Sequence, residues 1–291
     1  MLLAVPNFSE GRDAGRIGRI SAAFATGAAL LDAHFDAVHN RTVLTLSGSE
    51  RALATALAGG ARACVGEIDM RRHRGAHPCV GALDVCPVVW LRADDRAPAR
   101  EEALEAARRI GSEQGVPVFL YGELARQRSH QERAFFRSGG PIELRRRLEA
   151  RELRPDFGPA ELHPSAGATL VTARPPLAAF NLELEGAAIE DARGIAASLR
   201  ESGGGLAGVR AIGIALDGER TQVSTNVHDP IAVPLAEVAE RVRELAAPRG
   251  ARVVGAEVVG LVPEAALDGW PEDVPLAFDP AAQTIERRVQ P

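Results

Sequence analysis

The sequence predicts an α/β protein of the α+β type. It reads as two tandem subdomains, each with a β-α-β-β-α-β, ferredoxin-like order, with mixed sheets carrying helices on their outer faces. Three observations carry this expectation. Short apolar or alternating runs take turns with stretches whose apolar residues recur at helical spacing. The same element order occurs twice, as a pattern without matching residues. Between the two copies, Arg174-Pro175-Pro176 breaks the chain and marks the boundary, which predicts subdomains at 1–177 and 178–291.

The elements follow in order. Leu2 to Val5 is a short strand that ends in the polar loop Pro6 to Gly11. Ser9, taken alone, reads most simply as a cap for the helix marked by Ile17, Ile20 and Phe24. Ala29 to Ala33 is the second strand, His34 to Arg41 a polar loop, and Thr42 to Ser47 the third strand. Leu53, Leu57, Ala61, Cys64 and Ile68 trace one face of a helix, so Cys64 is a core residue. A strand at Val85 to Leu91, a helix at Arg100 to Gln114 and a strand at Val116 to Tyr121 complete the first copy. Gln127 to Arg154 is highly charged and reads as a helical, solvated connection. The prolines and glycines between Pro155 and Thr169 preclude regular structure there, and a long irregular loop in a compact chain is a candidate binding loop. After strands at 168–173 and 178–184 come a helix at 188–201 and strands at 209–216 and 221–227. Asp217-Gly218 between these last strands is a hairpin signal. A helix through Leu235, Val238, Val242 and Leu245 and a strand at 253–261 close the second copy. Two such units leave a crevice between them, and ligands favour crevices.

Composition excludes several function classes. The 291 residues are 46% hydrophobic and 25% charged, an ordinary globular balance. A net charge of -5 argues against a general nucleic-acid binder. No apolar run is long enough to span a membrane, and the opening Met1-Leu2-Leu3-Ala4-Val5 is too short and uncharged for a signal peptide. Cys64, Cys79 and Cys86 form no disulfide framework, which fits a reducing cytosol. Lysine is absent, so all 34 basic residues are arginines.

The densest chemistry lies between His73 and Pro87, where His73, Arg74, His77, Cys79, Asp84 and Cys86 fall close together. Gly75 and Pro78 make this a loop, and the apolar run after it leads into a buried strand. Three readings are open. The loop can be structural, with solvated histidines and core cysteines. It can hold a metal through His73, His77, Cys79 and Cys86, although it lacks the Glu of H-E-x-x-H and any C-x-x-C pair. Or one histidine is a general base, since imidazole titrates near neutral pH, while the arginines gather an anionic substrate.

Several stretches resemble one family. They are Val5-Pro6-Asn7-Phe8-Ser9-Glu10-Gly11, Asn40-Arg41-Thr42-Val43, Ile68-Asp69-Met70 and the loop His73-x-Gly-x-His-Pro-x-x-Gly-Ala-Leu-Asp-Val-Cys-Pro87. Further on come Val116-Pro117-Val118, Leu120-Tyr121-Gly122-Glu123, Pro155-Asp156-Phe157-Gly158-Pro159, Pro164-Ser165, Gly167-Ala168-Thr169, Val223-Ser224-Thr225-Asn226 and Val259-Gly260-Leu261-Val262-Pro263. Together they resemble glutamate formiminotransferase, the transferase part of formiminotransferase-cyclodeaminase, in order along almost the whole chain. The cyclodeaminase half has no counterpart here.

The resemblance implies a one-carbon group transferase of histidine degradation. It would move a formimino group between N-formimino-L-glutamate and N5 of tetrahydrofolate, in the cytoplasm, as a homodimer. Family members have two α/β subdomains and a charged tunnel for folate. Tetrahydrofolate is the co-substrate, and no metal, redox cofactor, nucleic acid or membrane is required. The family's catalytic histidine corresponds to His77. Its folate segment corresponds to 158–167, in which Gly158, Pro159, Pro164, Ser165 and Gly167 match. Ala166 stands where the animal version has a tryptophan, which weakens stacking on the pterin. His34 replaces the second acid of an Asp-x-Asp. In the transfer, His77 would take the N5 proton. Asn7, Ser9 and Arg41 are candidate donors to the tetrahedral centre. Asp84 orients an imidazole, binds the pterin amide, or is simply capped by the main chain at the strand start. Asn226 is a further candidate for substrate binding. Arg71, Arg72, Arg74 and Arg174 are candidate partners for substrate carboxylates. The alternatives are a folate-binding module without activity and formimino transfer to a different amine. Gly158 and Gly167 are expected to let a ligand approach the main chain closely.

Overall fold

The structure, a computed structural model, describes residues 1–76, 78–216, 220–277, 279–280 and 282–289. The chain divides into two compact units, Met1–Pro175 and Pro176–Pro291.

In the first unit, β1 (Leu2–Ala4) and β2 (Asn7–Phe8) are two pieces of one strand, each lying between the same two neighbours. The break falls at Pro6, which has no N–H to give to a ladder. Helix α1 (Ala14–Phe24) follows, then β3 (Ala29–Asp36), β4 (Arg41–Gly48), α2 (Ala52–Glu67), β5 (Leu83–Trp90) and α3 (Arg96–Gln114). The sheet order β3-β4-β1/β2-β5 is that of a split β-α-β unit, and each of these pairings is antiparallel. Two further strands extend it past β5: β6 (Val118–Leu120) and β7 (Thr169–Arg174) run parallel to each other, and β7 runs parallel to β5. The sheet is therefore mixed. Between β6 and β7 lie the short helices α4 (Arg133–Arg137) and α5 (Gly140–Glu149).

Burial explains the layers. Phe8, Ile20, Phe24, Leu57, Val88, Ala103 and Ile110 are all fully buried in one core, between the sheet and α1, α2 and α3. On α3, Glu102 is only 5% exposed because it serves α2: its carboxylate accepts from the main-chain N–H groups of Arg51 and Ala54, orphan donors at a helix start. A second cluster joins Val85, Phe119, Tyr121 and Leu170 of the sheet to Phe136, Leu144 and Leu148 of α4 and α5.

The second unit repeats the order with β8 (Ala178–Glu185), α6 (Ile189–Leu199), β9 (Val209–Ala215), β10 (Thr221–Val227), α7 (Leu235–Ala246) and β11 (Arg252–Val258). A short α8 (Ile285–Val289) follows. Its sheet order is β11-β8-β10-β9. This sheet is not mixed, contrary to the expectation: all three pairings are antiparallel. The two crossovers of a β-α-β-β-α-β chain leave its parallel pairs non-adjacent, so only added strands such as β6 and β7 could mix it. The expected hairpin joins β9 to β10, and its Asp217-Gly218 turn lies outside the described residues.

Other expectations shift. Strand β3 runs to Asp36, so His34 lies in a strand paired with Val43 rather than in a loop. The cap of α1 is Asp13, whose carboxylate accepts from Arg16 N–H at 3.0 Å, and not Ser9. The charged stretch 127–154 holds the two short helices α4 and α5 rather than one helix, with Ser138 and Gly139 between them.

Candidate active site

One end of the first sheet gathers the sequence motifs. There β2 ends, β3 turns into β4, and β5 begins. The Ser9 hydroxyl donates to Gly81 O at 2.8 Å and the Ser9 N–H to Ala82 O at 2.9 Å. Thr42 Oγ1 donates to Glu10 O at 2.5 Å. Asn40, with a left-handed φ of 49°, reaches two segments at once. Its Oδ1 accepts from Gly11 N–H at 2.9 Å, and its Nδ2 donates to Arg74 O at 3.0 Å and lies 3.3 Å from His73 Nδ1. Asn tolerates this backbone geometry better than most residues. Gly75 then packs so tightly on the turn that a Cβ would meet His39 O at 2.3 Å, and Ala76 N–H donates to Val38 O. The 73–76 loop is thus sewn onto 38–40. His77 lies outside the described residues.

Asp84 owes its position to a bulge. Asn7 pairs with Val85 and Phe8 with Leu83, which leaves Asp84 without a partner on β2. Bulges of this kind re-aim a side chain. The Asp84 carboxylate is 3% exposed. Its Oδ1 accepts from Val80 N–H at 2.7 Å and its Oδ2 forms an ion pair with Arg137 of α4. A small cleft is lined by Phe8, Ser9, His39, Asn40, Arg41, His73, Cys79 and Asp84.

The electrostatics of this cleft have identifiable causes. Burial pushes His73 below the ordinary histidine range, only partly offset by the Ser9 main chain, so its imidazole is neutral near pH 7. Burial and the Asp84 charge push the Cys79 thiol up to about 11, which leaves it protonated and a poor nucleophile. Burial works to raise Asp36, but hydrogen bonds from His39 outweigh it and hold this carboxyl far below the usual range. His39 Nδ1 lies 3.0 Å from Asp36 Oδ2. Burial, with Arg137 nearby, lowers Arg41 to about 10. Among the described residues, no three His, Cys, Asp or Glu side chains gather into a metal-holding group.

The predicted residues divide. Ser9, Arg41 and Asp84 line the cleft together. The Ser9 hydrogen is already given to Gly81 O, so Ser9 offers acceptor lone pairs and not the expected donor. Asn7 gives an amide hydrogen to Val5 O at 2.9 Å. Arg41 keeps its donors, with no ion pair among the described residues. Arg71 and Arg72 are turned to Asp69, Arg71 as a fork with two 2.8 Å bonds, and Arg74 donates to main-chain carbonyls of its own loop. Those three do not reach the cleft lining. Asn226 belongs to the second unit, on the face of β10 opposite the buried Thr225 and Val227.

The 158–167 segment is also split. Gly158 sits by the end of α3, where a Cβ would meet Val116 O at 2.5 Å, with the exposed Pro159 beside it. Pro164 is exposed, and Ser165 O accepts from Met70 N–H. Ala166 is 2% exposed and part of the core, so this position is filled by packing. Gly167, at φ 72°, pairs with Gly81, and a Cβ there would meet Val80 O at 2.3 Å. At both Gly158 and Gly167 the chain's own main chain closely approaches the position that a Cβ would take. Gly167→Ala is accordingly expected to cost about 1–3 kcal/mol in urea denaturation, the usual range for a non-glycine residue held in such a conformation. A raised folate KM with unchanged stability would contradict that.

Arg137, which pairs with Asp84, escaped the sequence reading, as did Arg133 one helical turn before it. Their spacing of four was the available signal, submerged in a run read as solvated.

Comparison with known proteins agrees with the motifs. The formiminotransferase domain, N-terminal subdomain, matches residues 1–174, and the formiminotransferase domain matches residues 179–269. This chain belongs to the formiminotransferase family. The glutamate formimidoyltransferase of Streptococcus pyogenes serotype M1 is 37% identical over 90% of this chain and 89% of its own length. That of Thermoplasma acidophilum is 38% identical, over 90% and 88%. The formimidoyltransferase-cyclodeaminase of Sus scrofa is 42% identical over 90% of this chain but only 50% of its own length. The chain thus spans about half of that fused relative, and no cyclodeaminase half is matched. This formiminotransferase chain has no helix, among the described residues, long and apolar enough to cross a membrane.

Proposed function

We propose that this chain transfers the formimino group between N-formimino-L-glutamate and N5 of tetrahydrofolate, with His77 as the general base. The transferase assignment follows from the family and from relatives named glutamate formimidoyltransferase along 90% of the chain. The bond from N5 to the amidine carbon forms, and the bond from that carbon to the glutamate nitrogen breaks. The proton leaving N5 ends on that nitrogen, by way of the His77 imidazole. Arg41 is the candidate donor to the tetrahedral centre, since it is half-buried in the cleft and makes no ion pair among the described residues. Asn40 and His73 hold the approach to His77 in place. Asp84 acts by fixing Val80 and Arg137.

The observation that supports this reading best is the composition of the cleft. His73 and Cys79, on either side of His77 in the sequence, line it together with Ser9, Arg41 and Asp84. Tetrahydrofolate enters as co-substrate, and proton transfer with charge stabilisation needs no metal. Action as a homodimer in the cytoplasm belongs to the same proposal. The alternative of a folate-binding module without activity is not favoured, because the chain matches transferases over nearly their whole length. The test is a comparison of amine partners. With tetrahydrofolate present, N-formimino-L-glutamate should be used at least about 10-fold better in kcat/KM than N-formiminoglycine, which lacks one carboxylate. Equal use of the two would mean that glutamate is not the partner.

A further inference from the structure

Two groups of arginines stand out in the first unit. Those obvious in the sequence, Arg71 and Arg72, are exposed and turned to Asp69. A second group surrounds Asp84 on the face of the sheet that α4 covers. Arg133 and Arg137 are four residues apart on α4, hence on one side of it. Phe136 between them is fully buried and packs on Phe119 of β6, with ring centroids 5.1 Å apart, which fixes the helix to the sheet. Arg147 of α5 lies over the Phe135 ring and donates to Phe135 O at 2.8 Å, a second anchor.

The charges in this group do not balance. Asp84 pairs with Arg137, and its other oxygen is taken by Val80 N–H. The Arg137 side chain is 12% exposed, and its Nε is buried with no hydrogen-bond partner. Arg41, Arg133 and Arg174 are half-buried and make no ion pair among the described residues. Asp36, the carboxylate near Arg41, is held by His39, while Glu132, exposed beside Arg133, acts on its charge only from the solvent side. Burial lowers the pKa of Arg133, and that of Arg41 and Arg174 to about 10, with neighbouring arginines adding to the effect in each case. Tyr121, hydrogen-bonded to Val171 of β7, lies close enough to both Arg133 and Arg174 to act on their charges. The group thus runs from the cleft, where Arg41 and Asp84 lie, across the sheet face to the end of β7. Several half-buried guanidinium groups around a single paired carboxylate are unfavourable alone, and planar forks of this kind match carboxylates two bonds at a time.

We infer that Arg133 and Arg137, with Arg41 and Arg174 at the two ends of the row, form a subsite for substrate carboxylates. It rests on the formimino-transfer reading only in naming whose carboxylates these are. Both the glutamate that leaves and the glutamate tail of folate carry that chemistry. Arg133 and Arg137 serve binding here, while Arg41, at the cleft end of the row, is the one also offered as a donor to the tetrahedral centre.

The test needs no turnover. Binding of L-glutamate and, separately, of p-aminobenzoyl-L-glutamate to the unmodified protein is followed by the rise in thermal midpoint with ligand concentration. Arg133→Gln, which breaks no ion pair among the described residues, is compared with the parent, and Arg137→Lys serves as a second variant that keeps a cation for Asp84. The expected result is a weakening of about 10- to 100-fold for one of the two ligands, the weight of a lost charge-assisted contact. Weakening of L-glutamate assigns the subsite to the amine partner, and weakening of p-aminobenzoyl-L-glutamate assigns it to the folate tail. Unchanged affinity for both in both variants overturns the subsite. A protein that binds either ligand through Arg133 yet transfers no formimino group would leave the subsite standing and remove the proposed function.

Discussion

His77→Ala is expected to fold normally, to keep folate binding, and to lose about 10²–10⁴-fold in kcat, the usual weight of a general base. A base must be unprotonated to act, so kcat/KM of the parent should rise with pH through a free-enzyme ionisation near the ordinary histidine value. That acidic limb should vanish in the variant. His73→Ala is the control from the same loop. Its ring lies 3.3 Å from the Asn40 amide and is kept neutral by burial, so it already has a structural duty. Its loss should loosen the 73–76 loop and raise KM with a smaller effect on kcat. Equally mild effects at both positions would make the loop structural. A severe effect at His73 with a mild one at His77 would move the base to His73.

Asp84→Ala carries the largest expected loss of stability, about 3–5 kcal/mol in urea denaturation, because it leaves Arg137 and Val80 N–H buried without their acceptor. Asp84→Asn keeps an acceptor for Val80 but not the charge, and should lose less. Combining Asp84→Asn with Arg137→Gln should recover part of the stability, since removing both partners of a buried pair strands no charge. Activity should not return with it. A change below about 0.5 kcal/mol in Asp84→Ala, the range of an ordinary surface substitution, would mean that the pair does not hold the site together.

Much of this architecture was legible because its signals are local. The spacing of Ile17, Ile20 and Phe24 gave α1, and the alternation in 42–47 gave β4, since each depends on which face of an element is buried. The loop 73–87 was recognisable as the chemical centre because glycine and proline exclude regular structure there. What escaped was decided by tertiary partners. The role of Ser9 depends on Gly81, far along the chain, so its sequence neighbours suggested a cap. The reach of Asp84 depends on a bulge that only the pairing with β2 creates. Arg133 and Arg137 lie in a run whose charge density suggests solvent, and only the packing of Phe136 turns them inward. Conversely, Arg71 and Arg72 stand out as candidate substrate partners because charge is visible in a sequence and Asp69 as a competitor is not. Gly158 and Gly167 have the expected left-handed conformation, and the main-chain neighbours that a Cβ would meet there are not visible in the sequence.

The central claim is tested most directly by a mass balance in a single tube. N-formimino-L-glutamate labelled with 13C at the formimino carbon is mixed with tetrahydrofolate and the unmodified protein, and the carbon is followed by NMR. The account predicts that the label moves to N5 of tetrahydrofolate as L-glutamate appears one for one, with neither formate nor ammonium released. Label that stays on glutamate, or that leaves as formate, would contradict it.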